Sequence, residues 1–402
     1  MPPPPEGHRT PGPQSLVAGR YRLTSRIGGG GMGSVWLARD QLLARDVAAK
    51  QVVSTEGLSD ESADNIRQRA MREGRIAARL AHHNAIAMHD VALDGGEPWL
   101  VMEYLPSRSL AQILHVTRTL DVAQTAQIGA QVADAMVTAH AVGIIHRDIK
   151  PGNILVTTGR EAGLVKLTDF GISRIKDDVA LTQSGVITGT PAYFAPEVAR
   201  GAEPDEASDV YSLGATVYTL VEGQPPFGVD DDSLALLHKV ARARINPMTK
   251  AGALQPVLLK LLEPNPARRP TMTQARDLLA EVAAGSRGTP QQILSSPLTN
   301  PGGGIPVWAQ RSPRPPRNHP TGTHVPVGSP ATSGPSTPDR SSTQSTQGTP
   351  STLVSGRPRS STSPSGTSQW TGPSTSTTTL VLSIFAVIAI VAVIVGLVIA
   401  LV

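Results

Sequence analysis

Residues His146-Arg147-Asp148-Ile149-Lys150-Pro151-Gly152-Asn153 are followed, sixteen residues after Asn153, by Asp169-Phe170-Gly171. Two carboxylates and an amide at that spacing form a constellation for moving a phosphoryl group. Asp148 is expected beside the attacking hydroxyl, and Asn153 and Asp169 are expected to hold Mg²⁺ ions that bridge nucleotide phosphates. Either motif alone also reads as a polar turn closing a helix. Both in order, with the elements on either side of them, favour transfer chemistry.

Upstream, Tyr21 to Ala38 reads as strand, glycine turn, strand. The turn carries Gly28, Gly30 and Gly33, with Ile27 before it and Val35 after it. Glycines let a backbone approach phosphates and offer amide N–H groups. Gly-x-Gly-x-x-Gly also occurs in dinucleotide folds, which need a helix after the glycines and an acid about 20 residues on. Here Ser34-Val-Trp-Leu-Ala38 reads as a strand instead. Val47-Ala48-Ala49-Lys50 is a third strand with a lone lysine among apolar residues, read as a phosphate clamp rather than a snorkelling edge residue.

Asp60 to Leu80 has a helical pattern, with Ile66, Ala70, Glu73, Ile76, Ala77 and Leu80 on or beside one face. Glu73 is the acid on that face. Arginines at 67, 69, 72, 75 and 79 offer it partners, but it is expected to pair with Lys50 and so orient it. Gly74 beside it weakens the helix by about 1 kcal/mol relative to Ala. Trp99 to Leu105 is an apolar strand that breaks at Pro106. Its end, Glu103 to Leu105, would offer backbone groups to an adenine ring, with Met102 at the back of the pocket.

Together these segments closely resemble the eukaryotic-like (Hanks-type) bacterial Ser/Thr protein kinases, in particular the membrane-anchored receptor type. The resemblance spans about residues 20–281. It includes Gly189-Thr190-Pro-Ala-Tyr-Phe-Ala195-Pro196-Glu197, Ser208-Asp209-Val-Tyr-Ser-Leu-Gly214 and Pro266-Ala-Arg-Arg269-Pro270. It implies an α+β, bilobal fold with a small β-rich N-lobe and a larger helical C-lobe. It implies ATP as phosphoryl donor, Mg²⁺ or Mn²⁺ as the metal, and proteins phosphorylated on Ser or Thr as substrates. It also admits a homodimer.

The resemblance implies roles for the matching residues. Asp148 orients or deprotonates the substrate hydroxyl, and Lys150 stabilises the transferring phosphate. Thr190 helps shape the acceptor site. Val35 and Ala48 cover the adenine, and Leu155 underlies it. Glu197 pairs with Arg269 in a structural ion pair, and Asp209 fastens the catalytic loop from below. Arg147, directly before Asp148, implies control by activation-loop phosphate, with Thr182 and Ser184 as the expected autophosphorylation sites. Intact catalytic positions oppose a scaffold without catalysis. The long activation loop and the Gly-Thr-Pro-x-Tyr-x-Ala-Pro-Glu segment favour a protein over a small-molecule acceptor. His82-His83-Asn84 stands where such kinases often have His-Pro; a zinc site there is disfavoured, because the sequence clusters no other ligand with these histidines.

Composition bounds the rest. The 402 residues include no Cys, which excludes disulfides, thiolate metal sites and thiol nucleophiles. Residues 286–379 hold seven Arg, no Lys and one acid, Asp339, so they carry +6 while the whole chain carries +4. The remainder is therefore −2, and no nucleic-acid partner is expected.

Four segments follow. Residues 1–19 are Pro-rich and expected to be disordered, and residues 20–284 form the kinase domain. Residues 285–379, rich in Ser, Thr, Pro and Gly, are expected to be a disordered linker with an r.m.s. span of about 55 Å. Residues 380–402 carry no charge and a single polar side chain, Ser383. At ~1.5 Å per residue they reach about 35 Å, enough to cross a membrane as one helix. Residues 1–15 carry no apolar h-region, so a signal peptide is not expected there. Arg357 and Arg359 lie on the N-terminal side of the expected span, which puts the kinase domain in the cytoplasm on the cell membrane.

Overall fold

The computed structural model describes residues 11–30, 33–52, 60–170, 190–286 and 288–299, with Gly304, Pro306 and Trp308. The chain divides into residues 1–321 and 322–402, and every described residue belongs to the first unit. Among the described residues no helix is long and apolar enough to cross a membrane. The expected span 380–402, and the loop positions Thr182 and Ser184, lie outside them.

An antiparallel sheet has six strands: β1 (Leu16–Val17), β2 (Tyr21–Gly30), β3 (Gly33–Asp40), β4 (Arg45–Gln51), β5 (Met88–Asp94) and β6 (Glu97–Glu103), with β4 and β6 buried in continuous runs. Their order is β1-β2-β3-β4-β6-β5. Successive residues of a strand point to opposite faces. Val47 and Ala49 of β4 therefore join Tyr21, Leu23, Trp36, Trp99 and Val101 in one buried cluster. Ala48 joins Leu100, Met102, Ile86 and Ala70 in the other. Lys50 shares the parity of Ala48 and is 3% exposed.

Ala70 belongs to α1 (Asp60–Ala77). Gly74 of that helix is buried, and a Cβ there would stand 2.4 Å from Val91 Cγ2 of β5. The glycine that costs helix propensity is thus what lets α1 lie close against the sheet.

The second lobe is helical, with a small sheet at its upper edge. The sheet is β7 (Ser107–Ser109), β8 (Ile154–Thr157) and β9 (Val165–Leu167), in that order. The helices are α2 (Leu110–Thr117), α3 (Val122–Ala141), α4 (Pro196–Ala199), α5 (Glu206–Glu222), α6 (Ser233–Ala241), α7 (Gln255–Leu261), α8 (Met272–Ala284) and α9 (Pro290–Ser295). Asp121 caps α3 by accepting from Gln124 N–H. Asp205 and Ser208 form a capping box on α5. With few aromatics available, the core relies on small residues at close approach. A Cβ on Gly129 of α3 would meet Val217 Cγ2 of α5 at 2.9 Å and Leu279 Cδ1 of α8 at 3.1 Å. The helix is wedged between its two neighbours.

The lobe does not stop where the sequence pattern stops. The sequence ends the domain at 284 and opens a disordered linker at 285, but residues 288–299 pack on the helical lobe as a strap. Thr289 caps α9, and Leu298 is wholly buried in the main core. Leu298 N–H donates to Gly163 O at 2.8 Å. Gln124, Gln127 and Gln131 form one row along α3. Their amides donate to the carbonyl oxygens of Thr299 (3.2 Å), Ser296 (3.0 Å) and Ile293 (2.8 Å) respectively, and Gln131 also reaches Ser296 O (2.7 Å). Buried Leu298, the partly buried Ile293 and Leu294 that pack on the same core, and three glutamine amides hold this stretch despite its Ser/Pro-rich composition.

Candidate active site

A cleft of about 870 Å³ is lined by β2, β3, β4, the end of β6, and the β8 and β9 region of the helical lobe. Val35 and Ala48 line it from the sheet, Leu155 of β8 lines it from below, and Met102 and Leu105 line it toward the back and the hinge. These five side chains pack in one cluster, so the slot is apolar above and below, as a planar base requires. Ile27 stands at the rim, 42% exposed. Gly28 lines the cleft. Gly30 and Gly33 pair at the tip of the β2–β3 hairpin, and Glu103 pairs in register with Val47.

Lys50 projects into this cleft, but not toward the expected partner. Its Nζ lies 2.6 Å from Asp169 Oδ1, with side chains 4% and 20% exposed. Among the described residues Lys50 pairs with Asp169 and not with Glu73. A lysine this deeply buried requires a carboxylate. Asp169 supplies it by adopting a left-handed backbone, φ 69°, at the end of the segment that follows β9.

The catalytic loop is held from three sides. Asp209 at the start of α5 is fully buried. Its Oδ2 accepts His146 N–H and its Oδ1 accepts Arg147 N–H, both at 2.8 Å, and His140 Nε2 lies 2.9 Å from Oδ2. Arg147 takes a left-handed φ of 70°, a strained conformation that these two bonds stabilise. Thr216 Oγ1 of α5 donates to Ile149 O at 3.0 Å. From the front, His146 Nε2 bonds Thr168 O at 3.0 Å while its Nδ1 accepts Asp148 N–H at 3.3 Å. A carbonyl only accepts, so the ring carries its proton on Nε2. Phe170 meets the same ring edge-on, with centroids 5.0 Å apart. The sequence reading assigned no role to His146 or Thr216. His146 sits inside the recognised motif, and Thr216 is a hydroxyl within an otherwise apolar helix.

Asp148, Lys150 and Asn153 come together as one unit. Lys150 Nζ and Asn153 Nδ2 both lie 2.9 Å from Asp148 Oδ2, and Asn153 Nδ2 also donates to Asp148 O at 2.8 Å. Asp148 Oδ1 has no protein partner among the described residues, so it is the oxygen that can accept from a hydroxyl. Asn153 turns its nitrogen to Asp148, leaving its carbonyl oxygen outward. Thr168 N–H donates to Asn153 O at 2.9 Å, which sets Asn153 beside the segment that carries Asp169. An amide oxygen and a carboxylate are hard donors, and they fit Mg²⁺ or Mn²⁺.

The acceptor side is also anchored. Thr190 is exposed and precedes the turn Pro191–Tyr193, which Ser212 Oγ holds through Tyr193 O at 2.9 Å. Glu197 meets Arg269 through a bidentate pair at 2.6 and 2.7 Å.

The structure brings Asp134 to the histidines at 82 and 83, within 4.8 Å, a neighbour the sequence did not reveal. The cluster is nonetheless a hydrogen-bond network. Asn84 N–H donates to His82 Nδ1 at 3.1 Å, so the proton of the neutral ring sits on Nε2, which faces Asp134 Oδ2 at 3.2 Å. His83 Nε2 faces the carbonyl of Leu294 at 3.1 Å and is likewise a donor. Asp134 is held below the usual carboxylate range, first by the His82 bond and then by Arg276, against the opposing effect of burial.

Comparison with known proteins accords with this geometry. A family model described as the protein kinase domain matches residues 21–278. Serine/threonine-protein kinase PknA of Mycobacterium tuberculosis is 36% identical over 302 residues, covering 71% of this chain and 68% of that protein. Serine/threonine-protein kinase PkaA of Streptomyces coelicolor is 37% identical over 278 residues, covering 67% and 51%. Among solved structures, the crystal structure of the Mycobacterium tuberculosis PknI kinase domain matches with a TM-score of 0.52 at 27% identity, covering 68% of this chain and 100% of that one.

Proposed function

The chain belongs to the protein kinase family and is a protein serine/threonine kinase; from that premise we propose a membrane-tethered kinase of the receptor type, switched on by phosphate on its own activation loop. The observation that carries the chemistry is the Asp148 carboxylate, with one oxygen held by Lys150 and Asn153 and the other unpartnered among the described residues.

Transfer asks for positioning and charge neutralisation. The Ser or Thr hydroxyl oxygen bonds to the γ-phosphorus of ATP, the bond to the β–γ bridging oxygen breaks, ADP leaves, and the hydroxyl proton passes to Asp148 Oδ1. Lys150, already beside Asp148, sits where the transferring phosphoryl gains negative charge. Lys50 holds the nucleotide phosphates. Asn153 and Asp169 would hold Mg²⁺, which neutralises phosphate charge when bound. The test is transfer from labelled ATP to a generic protein substrate by the purified chain. Label on Ser and Thr is expected; label confined to a small-molecule acceptor overturns the protein-kinase reading.

The tether rests on the uncharged run 380–402, with the Ser/Thr/Pro/Gly-rich stretch before it as a flexible linker. Deleting 380–402 is expected to move the protein from washed membranes to the soluble fraction with unchanged turnover. A truncated chain that stays in the membranes would assign the anchor to another segment.

The switch rests on Arg147. Among the described residues its guanidinium has no acidic partner, and it lies beside Asp148. A phosphate on Thr182 or Ser184 adds about −1.5 to −2 charge and would bind it. A second copy of the chain would transfer that phosphate from ATP, releasing ADP, which makes a transient homodimer part of the proposal. Replacing both hydroxyl residues by Ala is expected to lower kcat about tenfold while ADP affinity stays within about twofold, because the nucleotide slot is built separately. Unchanged turnover would remove the switch.

A further inference from the structure

The hinge end of the cleft holds an ion pair that no part of the transfer chemistry uses. Glu103 closes β6, and its backbone N–H donates to Ala87 O at 2.9 Å. Its carboxylate turns away from the slot. Oε2 accepts Ala87 N–H at 3.2 Å, and Lys166 Nζ lies 2.9 Å from Oε2 and 3.2 Å from Oε1. The same ammonium donates to Ala85 O at 3.3 Å. The two side chains are 12% and 25% exposed for Lys166 and Glu103, so water screens the pair only in part.

Lys166 is in the middle of β9, paired in register with Leu155 of β8. Leu155 is the floor of the apolar slot, and the chain leaving β9 reaches Asp169 three residues after Lys166. One ammonium therefore ties together the hinge, the stretch 85–87, and the strand that supports the floor. We propose that Lys166 is a positioning residue for the nucleotide base, acting through Glu103 by fixing the height of the hinge backbone above Leu155. The inference rests on the reading of this cleft as the ATP site.

Without the ammonium, the Glu103 carboxylate is a partly buried charge left with a single backbone bond. Its better solution is to swing toward water, taking the backbone of Glu103 to Leu105 with it. Those backbone groups face the base. The Asp148, Lys150 and Asn153 unit is held instead by Asp209, Thr216 and His146, none of which touches Lys166. The loss should therefore fall on nucleotide binding and spare the chemical step.

The experiment compares parent, K166M and K166R in the full chain. It measures KM for ATP and kcat with a generic protein substrate, ADP affinity by calorimetry, and cooperative unfolding. K166M is expected to raise KM for ATP and weaken ADP binding about five- to tenfold, with kcat within about twofold of the parent. K166R, which can span the same carboxylate, is expected to return both to within about twofold. A lower kcat at unchanged KM, or ADP affinity equal to the parent's, overturns the assignment. So does a K166R as impaired as K166M. A parent that binds no ADP would instead refute the nucleotide reading of the cleft. Should K166M fail to unfold cooperatively, E103Q reads the same quantity. It keeps an acceptor for Ala87 N–H and removes only the charge, and an ADP affinity equal to the parent's would again overturn the assignment.

Discussion

Replacing Asp169 by Ala, or Lys50 by Met, is expected to lower kcat about a thousandfold or more, the scale seen when a preorganised charge is removed from a transferring group. Either substitution strips a charge from the phosphate end of the cleft while leaving Asp148 and its partners in place. The two variants should nonetheless differ in stability, because the residues form a pair at 2.6 Å. Asp169→Ala leaves an ammonium that is 4% exposed without its carboxylate, a cost of about 3–5 kcal/mol by the behaviour of broken buried pairs. Lys50→Met leaves a carboxylate that is 20% exposed and can reach water, and methionine fills most of the vacated volume. Both should remain folded, with the melting temperature of the Asp169 variant clearly the lower. Turnover and thermal unfolding of the two purified proteins decide it. Near-parent turnover in either variant would remove that residue from the machinery, and equal melting temperatures would discount the pair.

Arg269→Ala is expected to be the most destabilising single change in the helical lobe, by about 3–5 kcal/mol. The Arg269 side chain is fully buried. Its Nε donates to Glu263 O at 2.7 Å, and its two terminal nitrogens serve both oxygens of Glu197 as well as Ala207 O (2.9 Å) and Pro264 O (3.2 Å). The guanidinium also lies over the Tyr211 ring, 4.8 Å from its centroid. Truncation strands a carboxylate and three carbonyls at once. For a body of this size a loss of that magnitude lowers the melting temperature by about 10 °C. Arg269→Lys should recover little, since an ammonium cannot make the planar two-toothed contact. A melting temperature within about 2 °C of the parent would show that the pair is replaceable by water.

The active-site motifs were legible because chemistry dictates their spacing. Asp148, Lys150 and Asn153 must converge within one loop, and five residues of sequence are enough to make them do so. The strands of the sheet were legible as short apolar runs bounded by turn residues, as at Val47, Ala48 and Ala49 before Lys50. Distant partners were legible only where the family resemblance supplied them, as for Glu197 with Arg269 and Asp209 beneath the catalytic loop; the residues alone did not choose between them. Lys50 has candidate carboxylates at Glu73 and Asp169, and only the left-handed turn at Asp169 decides between them. Gly74 was visible as a weak point of a helix but not as the clearance that Val91 demands. Asp134 joins the histidines at 82 and 83 only through the packing of α3. The strap at 288–299 escaped notice because its composition is that of a linker, and three apolar residues, Ile293, Leu294 and Leu298, are too few to set a periodicity that would betray it.

That strap determines where the protein can be cut. A fragment ending at residue 278, where the family match ends, would stop inside α8 and remove Leu279 and Ala280, both buried. A fragment ending at 284 keeps α8 whole but lifts Leu298 out of the core and leaves Gln124, Gln127 and Gln131 facing water along an opened seam. Because amides and the apolar side chains of Ile293, Leu294 and Leu298 make that seam, with no ion pair among the described residues holding it, added salt would not weaken it in the native chain. A piece that keeps these contacts therefore runs at least through Thr299, and fragments defined by sequence similarity alone would carry a ready-made sticky surface.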